Sequence, residues 1–147
     1  MIEVSTEFDE INNPLNRTYI GELVQQVLWY NNISKGAVTV IFTNADHLKN
    51  LKKQFFNEDV YTDVIAFRLD NQNNESFEGE IYISPEMAEE NSREFETSFH
   101  NELSRLIIHG CLHLLGYEDS TEKSKAEMTR MENSYLENSD TSHLLKI

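Results

Sequence analysis

His109-Gly110-Cys111-Leu112-His113-Leu114-Leu115-Gly116-Tyr117-Glu118-Asp119 is the stretch that decides how this chain is read. The second histidine follows the first by four residues, so on a helix both imidazoles leave one face, a turn apart, and can converge on a single ion. Gly116 permits the left-handed backbone that ends a helix and swings the chain round. An acid a few residues later can then return to the same point. Asp119, six residues past His113, and its neighbour Glu118 are the candidates for a third ligand. Two histidines and one carboxylate leave the fourth tetrahedral position for water, as in catalytic rather than structural zinc sites.

A lone histidine among Leu103, Leu106, Ile107, Ile108, Leu112, Leu114 and Leu115 is ordinarily a packed core residue. Two on one face, followed by a helix-ending glycine and an acid, fit core packing poorly and ligation well. The stretch is not the zinc-protease helix, because position 110 is Gly where that motif carries its general-base Glu. Cys111 points to another helix face and reads as a small buried residue. His47, His100 and His143 stand alone and read as surface or packing residues. Glu102, seven residues before His109 on nearly the same face, reads as a structural polar group.

Working outward, Glu94 to Leu115 reads as one buried helical run, and Ser120 opens another helix to about Leu136. Upstream, Ile2 to Phe8 alternates as a strand with a break at Thr6. Asn16 to about Asn32 repeats apolar residues at helical spacing, with a stop near Lys35-Gly36, and Val38 to Phe42 is a strand. Asp46 or Asn44 caps a short helix through Leu48, Leu51 and Phe55. Thr62 to Leu69 and Phe77 to Ser84 are strands joined by the polar turn Asp70-Asn71-Gln72-Asn73-Asn74. The delimited order is β-α-β-α-β-β-α-α. The fold class expected is α+β: a single mixed sheet of about four strands packed with about five helices, the metal site at the C-terminal end of a central buried helix.

With 147 residues and only two prolines and five glycines, the chain suits one domain spanning 1–147. The start Met1-Ile2-Glu3-Val4 has no basic region leading into an apolar stretch, and no run approaches a membrane span. A lone cysteine excludes a disulfide scaffold. A cytoplasmic protein is expected. Twelve basic against 26 acidic side chains give a net charge of −14. The average field therefore repels phosphate and anionic membranes, and nucleic-acid binding must use a local patch, for which Lys49, Lys52 and Lys53 are the candidates.

The segment His-Gly-x-Leu-His-Leu-Leu-Gly-Tyr followed by an acid resembles the signature of the YbeY family, bacterial metal-dependent endoribonucleases of ribosomal RNA maturation. Thr62-Asp63-Val64-Ile65-Ala66-Phe67 and Gly79-Glu80-Ile81-Tyr82-Ile83-Ser84 resemble the family's Thr-Asp-Val-Leu-Ser-Phe and Gly-Asp-Ile-x-Ile-Ser strands, in the same order. The resemblance places a ligand at Asp119 rather than Glu118, where the family usually has a third histidine. A carboxylate there reduces the net positive charge at the ion, leaving bound water somewhat less acidic. The family also carries an arginine, thought to assist catalysis, before its Thr-Asp-Val strand. Gln54 to Tyr61 contains none, and Arg68, just after the strand, is the substitute the sequence offers.

The resemblance implies a zinc-dependent, single-strand-specific endoribonuclease, with nickel, iron or another divalent metal also suited to these ligands. Its partners would be ribosomal RNA and the small ribosomal subunit, with no membrane or DNA. The ion would polarise a phosphodiester oxygen and either activate water or assist attack by the 2′-hydroxyl. Two other readings compete. One is a ribosome-assembly or quality-control binding protein whose metal only stabilises the fold. The other is another metallohydrolase, such as a peptidase, which Gly110 disfavours.

Overall fold

The computed structural model describes residues 1–9, 15–70 and 76–145. Its elements are β1 (Ile2–Phe8), α1 (Arg17–Tyr30), β2 (Gly36–Phe42), α2 (Ala45–Phe56), β3 (Val64–Arg68), β4 (Phe77–Ile83), α3 (Pro85–Glu94), α4 (Phe99–Leu114) and α5 (Glu122–Glu137), followed by a 3-10 helix at Thr141–Leu145. Residues 71–74 of the expected polar turn lie outside the described residues.

The sheet order is β1-β2-β4-β3, with β1, β2 and β4 parallel and β3 antiparallel to β4 at one edge. This is the mixed four-stranded α+β architecture the patterns implied. Strand alternation sets which face is covered. In β4, Phe77, Gly79, Ile81 and Ile83 are buried while Glu78, Glu80 and Tyr82 point to the other side. In β2, Val38, Val40 and Phe42 join the buried face. Against it lie Ile20, Leu23 and Val27 of α1 and Leu103, Ile107 and Leu112 of α4, in one continuous apolar interior.

The boundaries follow from capping chemistry. Asn16, Asn44, Ser84, Ser98 and Thr121 each accept a backbone N–H of the first turn that would otherwise lack a partner. Two expectations are corrected. The run Glu94–Leu115 is not one helix: α3 ends at Glu94, Glu96 takes a positive φ of 53°, and Ser98 restarts the helix. Helix α3 itself was not delimited because it is short of apolar residues and buries only Ala88 and Ser92. Helix α1 also stops before Lys35-Gly36, at Asn31, with Asn32 left-handed at φ 65°.

Helix α4 lies flush on the sheet because its contact residues are small. A Cβ on Gly110 would stand 2.5 Å from Ile81 Cγ2, and one on Gly79 would stand 2.8 Å from the Leu114 methyls. Ile81 is fully buried and β-branched, so it has nowhere to move. Gly110→Ala is therefore expected to cost about 1–3 kcal/mol, even after a helix-propensity gain of about 1 kcal/mol. A urea unfolding curve superimposing on that of wild type would show that α4 can lift off the sheet. A protease-type glutamate at this position is excluded by space as well as by sequence.

Candidate metal centre

Helix α4 ends in a Schellman motif. Gly116, at φ 99°, donates its N–H to the carbonyl of His113 at 3.0 Å, and Tyr117 donates to the carbonyl of Leu112 at 3.0 Å. No atom crowds a Cβ at Gly116, so glycine is needed there for its backbone conformation. The reversal carries the chain back along the helix. Thr121 and Ser124 then fix the start of α5 through a capping box. Between these two fixed ends Asp119 is half-buried and turned inward, while Glu118 is exposed.

The result is a triad. His109 Nε2 and His113 Nε2 are 2.9 Å apart, and Asp119 Oδ2 lies 3.3 Å from the first and 3.4 Å from the second. Ligand bonds of about 2.0–2.1 Å in a tetrahedron imply ligand–ligand edges of roughly 3.3–3.4 Å. Both carboxylate edges match, and the imidazole edge needs to open by only a few tenths of an ångström. Among the described residues these three are the group of His, Cys, Asp and Glu side chains arranged to hold a metal ion.

The hydrogen bonds behind the triad fix its chemistry. His109 Nδ1 donates to Glu132 Oε2 at 2.6 Å, and His113 Nδ1 donates to the carbonyl of Tyr117 at 3.0 Å. With both Nδ1–H groups committed outward, both Nε2 lone pairs face each other and a carboxylate oxygen. Three acceptors at that spacing repel unless a cation lies among them or one Nε2 carries a proton and donates it to the others. Burial disfavours the His109 imidazolium, but the Glu132 hydrogen bond and the Glu132, Asp119 and Asp63 charges outweigh it and raise His109 above its usual value. For His113, burial and the adjacent His109 lower the value against the pull of Asp119.

Glu132 is the functional residue that helical spacing around the histidines did not reveal. It is 5% exposed on α5, and its second oxygen accepts Arg105 Nη1 at 2.8 Å. A carboxylate on the far nitrogen of a ligating histidine fixes the ring's tautomer and orientation. A signal did exist: Glu132 stands in register with Met128 and Leu136 on the apolar stripe of α5, a place where a glutamate needs a partner.

Two clefts meet at the triad, sharing His109, Asp119 and Asp63. One, of about 360 Å³, runs beside β3 and the end of α2 and includes Lys52, Phe56, Thr62 and His113. The other, of about 400 Å³, runs between α3, α4 and α5 and includes Asn91, Glu102, Arg105, Lys125 and Glu132. Asn91 bridges Asp63 Oδ2 at 2.8 Å and Glu102 Oε2 at 3.4 Å. Burial raises the Glu102 carboxyl above its usual range despite Asn91 and Arg105. A raised carboxyl favours the fold below its unfolded value and loses that contribution as pH climbs through the folded one. Glu102→Gln should therefore gain stability relative to wild type as pH rises from about 4 to 7. A Tm difference constant across that range would refute the assignment.

Arg68 is not brought to the triad. Its guanidinium forms a bidentate pair with Asp70, donates to the Leu114 carbonyl at 3.1 Å and lies 3.9 Å from the centroid of Phe77. It lines neither cleft. The arrangement ties β3 to the end of α4 and holds the Asp70 carboxyl below its usual range. Arg68→Ala is expected to lower Tm by several degrees, the size of about 1–2 kcal/mol, while sparing metal affinity. Loss of metal binding with Tm unchanged would reverse that.

The remaining candidates are placed away from the triad. His100 bonds Thr141 and Ser98, His143 stands edge-on to Tyr19, and His47 lies beside Tyr82. Burial pushes the Cys111 thiol up to about 12.

Residues 1–140 match the family profile of Endoribonuclease YbeY. The chain belongs to the YbeY family. It is 35% identical over 126 residues to an Endoribonuclease YbeY of Chloroherpeton thalassium, covering 86% of this chain and 88% of that one. A second, from Chlorobaculum tepidum, is 33% identical over 129 residues, covering 88% and 93%. The solution structure of a Thermotoga maritima protein superimposes with a TM-score of 0.60 at 33% identity, covering 93% of this chain and 87% of that one. In this YbeY member the third side chain of the candidate metal-holding triad is the carboxylate of Asp119.

Proposed function

We propose that the chain is a metal-dependent endoribonuclease that cuts single-stranded ribosomal RNA in the cytoplasm, acting on the small ribosomal subunit during maturation and quality control. The observation that carries this reading is the convergence of two imidazole lone pairs and one carboxylate oxygen at tetrahedral spacing, with an open cleft on either side. Zinc suits that donor set, and nickel or another divalent transition metal would also be accepted. When bound, the ion supplies Lewis acidity toward the scissile phosphate and lowers the pKa of water beside it.

The protein's own residues do the rest. Glu132 holds the His109 ring in the tautomer that presents Nε2, and the Tyr117 carbonyl does the same for His113. Asp119 brings one negative charge to the site where a histidine would bring none. Lys52 is the cation lining the β3 cleft, so it is the group available to meet a phosphate entering there.

That same cleft favours a second reading. Among its described lining residues there is no arginine, and the Lys52 ammonium is already 3.6 Å from Glu58. A ribosome-assembly protein with a structural metal and little nuclease activity would need no more. Metal-loaded wild type and His113→Ala should be incubated with single-stranded and duplex ribosomal RNA segments, single-stranded DNA and a peptide mixture. The endoribonuclease reading expects the single-stranded RNA alone to be cut, and only by wild type. A fully metallated wild type that cuts nothing would favour the second reading, and RNA cleavage surviving in His113→Ala would sink the first.

A further inference from the structure

We propose that Phe56, with Lys52 over its ring, is a stacking platform for a base of the single-stranded RNA next to the bond being cut. The proposal rests on the endoribonuclease reading and adds where the strand lies. Phe56 is the last residue of α2, 45% exposed, and lines the same cleft as His109, His113 and Asp119. Its ring is supported from beneath. Phe56 stacks on Phe67 at 5.9 Å and 22°, Phe55 meets Phe67 edge-on at 5.2 Å, and Phe67 rests edge-on against Tyr82 at 5.8 Å. Asn57, left-handed at φ 56°, ends the helix and fixes the residue before it. A half-exposed aromatic ring at the mouth of a metal cleft then has Phe67 stacked on it from the protein side and, on its solvent side, only the flexible Lys52 side chain, which can swing onto an incoming phosphate and leave the ring to a base.

Charge selects the occupant and the direction. Lys52 Nζ lies 4.9 Å from the centroid of Phe56. A strand entering here meets a ring and a cation together, the combination that holds unpaired bases and their phosphates. Asp63 and Asp119 line both clefts, but the opposite one adds the carboxylates of Glu102 and Glu132, which engage Arg105, whereas the cleft beside β3 adds Lys52 and no further acid. On a chain of net charge −14, phosphate contacts alone cannot supply much affinity, so a sequence-tolerant stack must carry a large share. A duplex keeps its bases stacked on each other and offers no free face, which would favour single strands.

The test is fluorescence anisotropy of a short 2′-O-methyl RNA oligonucleotide on the metal-loaded protein, with cleavage of the matching unmodified RNA measured in parallel. Phe56→Ala should weaken binding roughly tenfold, the size of one lost base stack. Phe56→Trp should bind as well as wild type and show quenching absent from wild type, whose one tryptophan, Trp29, lines neither cleft of the triad. Lys52→Met should reduce the salt dependence of log Kd by about one phosphate contact. Binding by Phe56→Ala at the wild-type level, or an unquenched Phe56→Trp, while wild type still cuts RNA, would overturn the platform and leave the endoribonuclease reading standing. A wild type that neither binds nor cuts RNA would overturn both. If Phe56→Ala fails to fold, the Phe56→Trp quenching decides alone.

Discussion

Replacing His113 by alanine is expected to abolish metal-linked stabilisation and RNA cleavage together while leaving the metal-free fold intact. In wild type, ion binding at about a hundredfold excess over Kd adds about 2.7 kcal/mol, or roughly 5–10 °C in Tm for a chain of this size. The variant keeps one imidazole and one carboxylate, and its affinity should fall by more than the roughly 10–100-fold that loss of an outer hydrogen bond costs. Without metal the sign reverses. Above the raised His109 value no proton bridges the His113 and His109 nitrogens at 2.9 Å, and the His113 lone pair also faces a carboxylate oxygen at 3.4 Å, so removing the ring relieves repulsion there. At alkaline pH metal-free His113→Ala should therefore melt no earlier than metal-free wild type. A large loss of Tm in chelator would mean that the histidine pair is core packing after all.

Glu132→Ala carries the second-largest effect, and it acts on two properties at once. One carboxylate serves Arg105 through Oε1 at 2.8 Å and His109 through Oε2 at 2.6 Å. Removing it takes one partner from a part-buried guanidinium that keeps Glu102 at 3.8 Å, and leaves an imidazole N–H unpaired, for which a loss of about 1–3 kcal/mol is expected. Arg105 keeps Asn133 at 2.7 Å, which places the result toward the lower end. Metal affinity should fall by roughly 10–100-fold because His109 loses the group that orients it. Glu132→Gln separates the two effects. A single amide oxygen can serve one donor and leaves the other facing an NH₂, so it should recover part of the stability and not all of the affinity. A Glu132→Gln protein with wild-type metal affinity would make Glu132 a structural tie only.

These two residues mark what the sequence made legible and what it did not. The His109–His113 pair can be read because both side chains lie on one helix, where a four-residue interval is itself a geometry. Gly116 extended that reading by one turn, far enough to reach Asp119. Glu132 belongs to a different helix, and nothing in the 23-residue step from His109 to it fixes how α5 docks on α4. It could be found only as a charge on an apolar stripe. The strands were readable because alternation reports burial, and their boundaries moved by a residue or two where capping decided them. Helix α3 escapes because it buries only Ala88 and Ser92 and so shows no apolar stripe, while Ser84, its N-cap, reads as the end of the preceding strand. Arg68 was chosen by proximity in sequence to β3. Its alternation places it on the α4 side of the sheet, where Asp70, Phe77 and the Leu114 carbonyl take up its guanidinium.

The central claim is that His109, His113 and Asp119 hold one ion on which RNA cleavage depends. Its most direct test is a titration of the chelator-stripped protein with zinc, following cleavage of a single-stranded ribosomal RNA segment and bound metal in the same samples. Cleavage is expected to rise from background and to saturate at one ion per chain. Cleavage that proceeds without metal, or a protein that takes up its ion and leaves the RNA whole, would contradict the account.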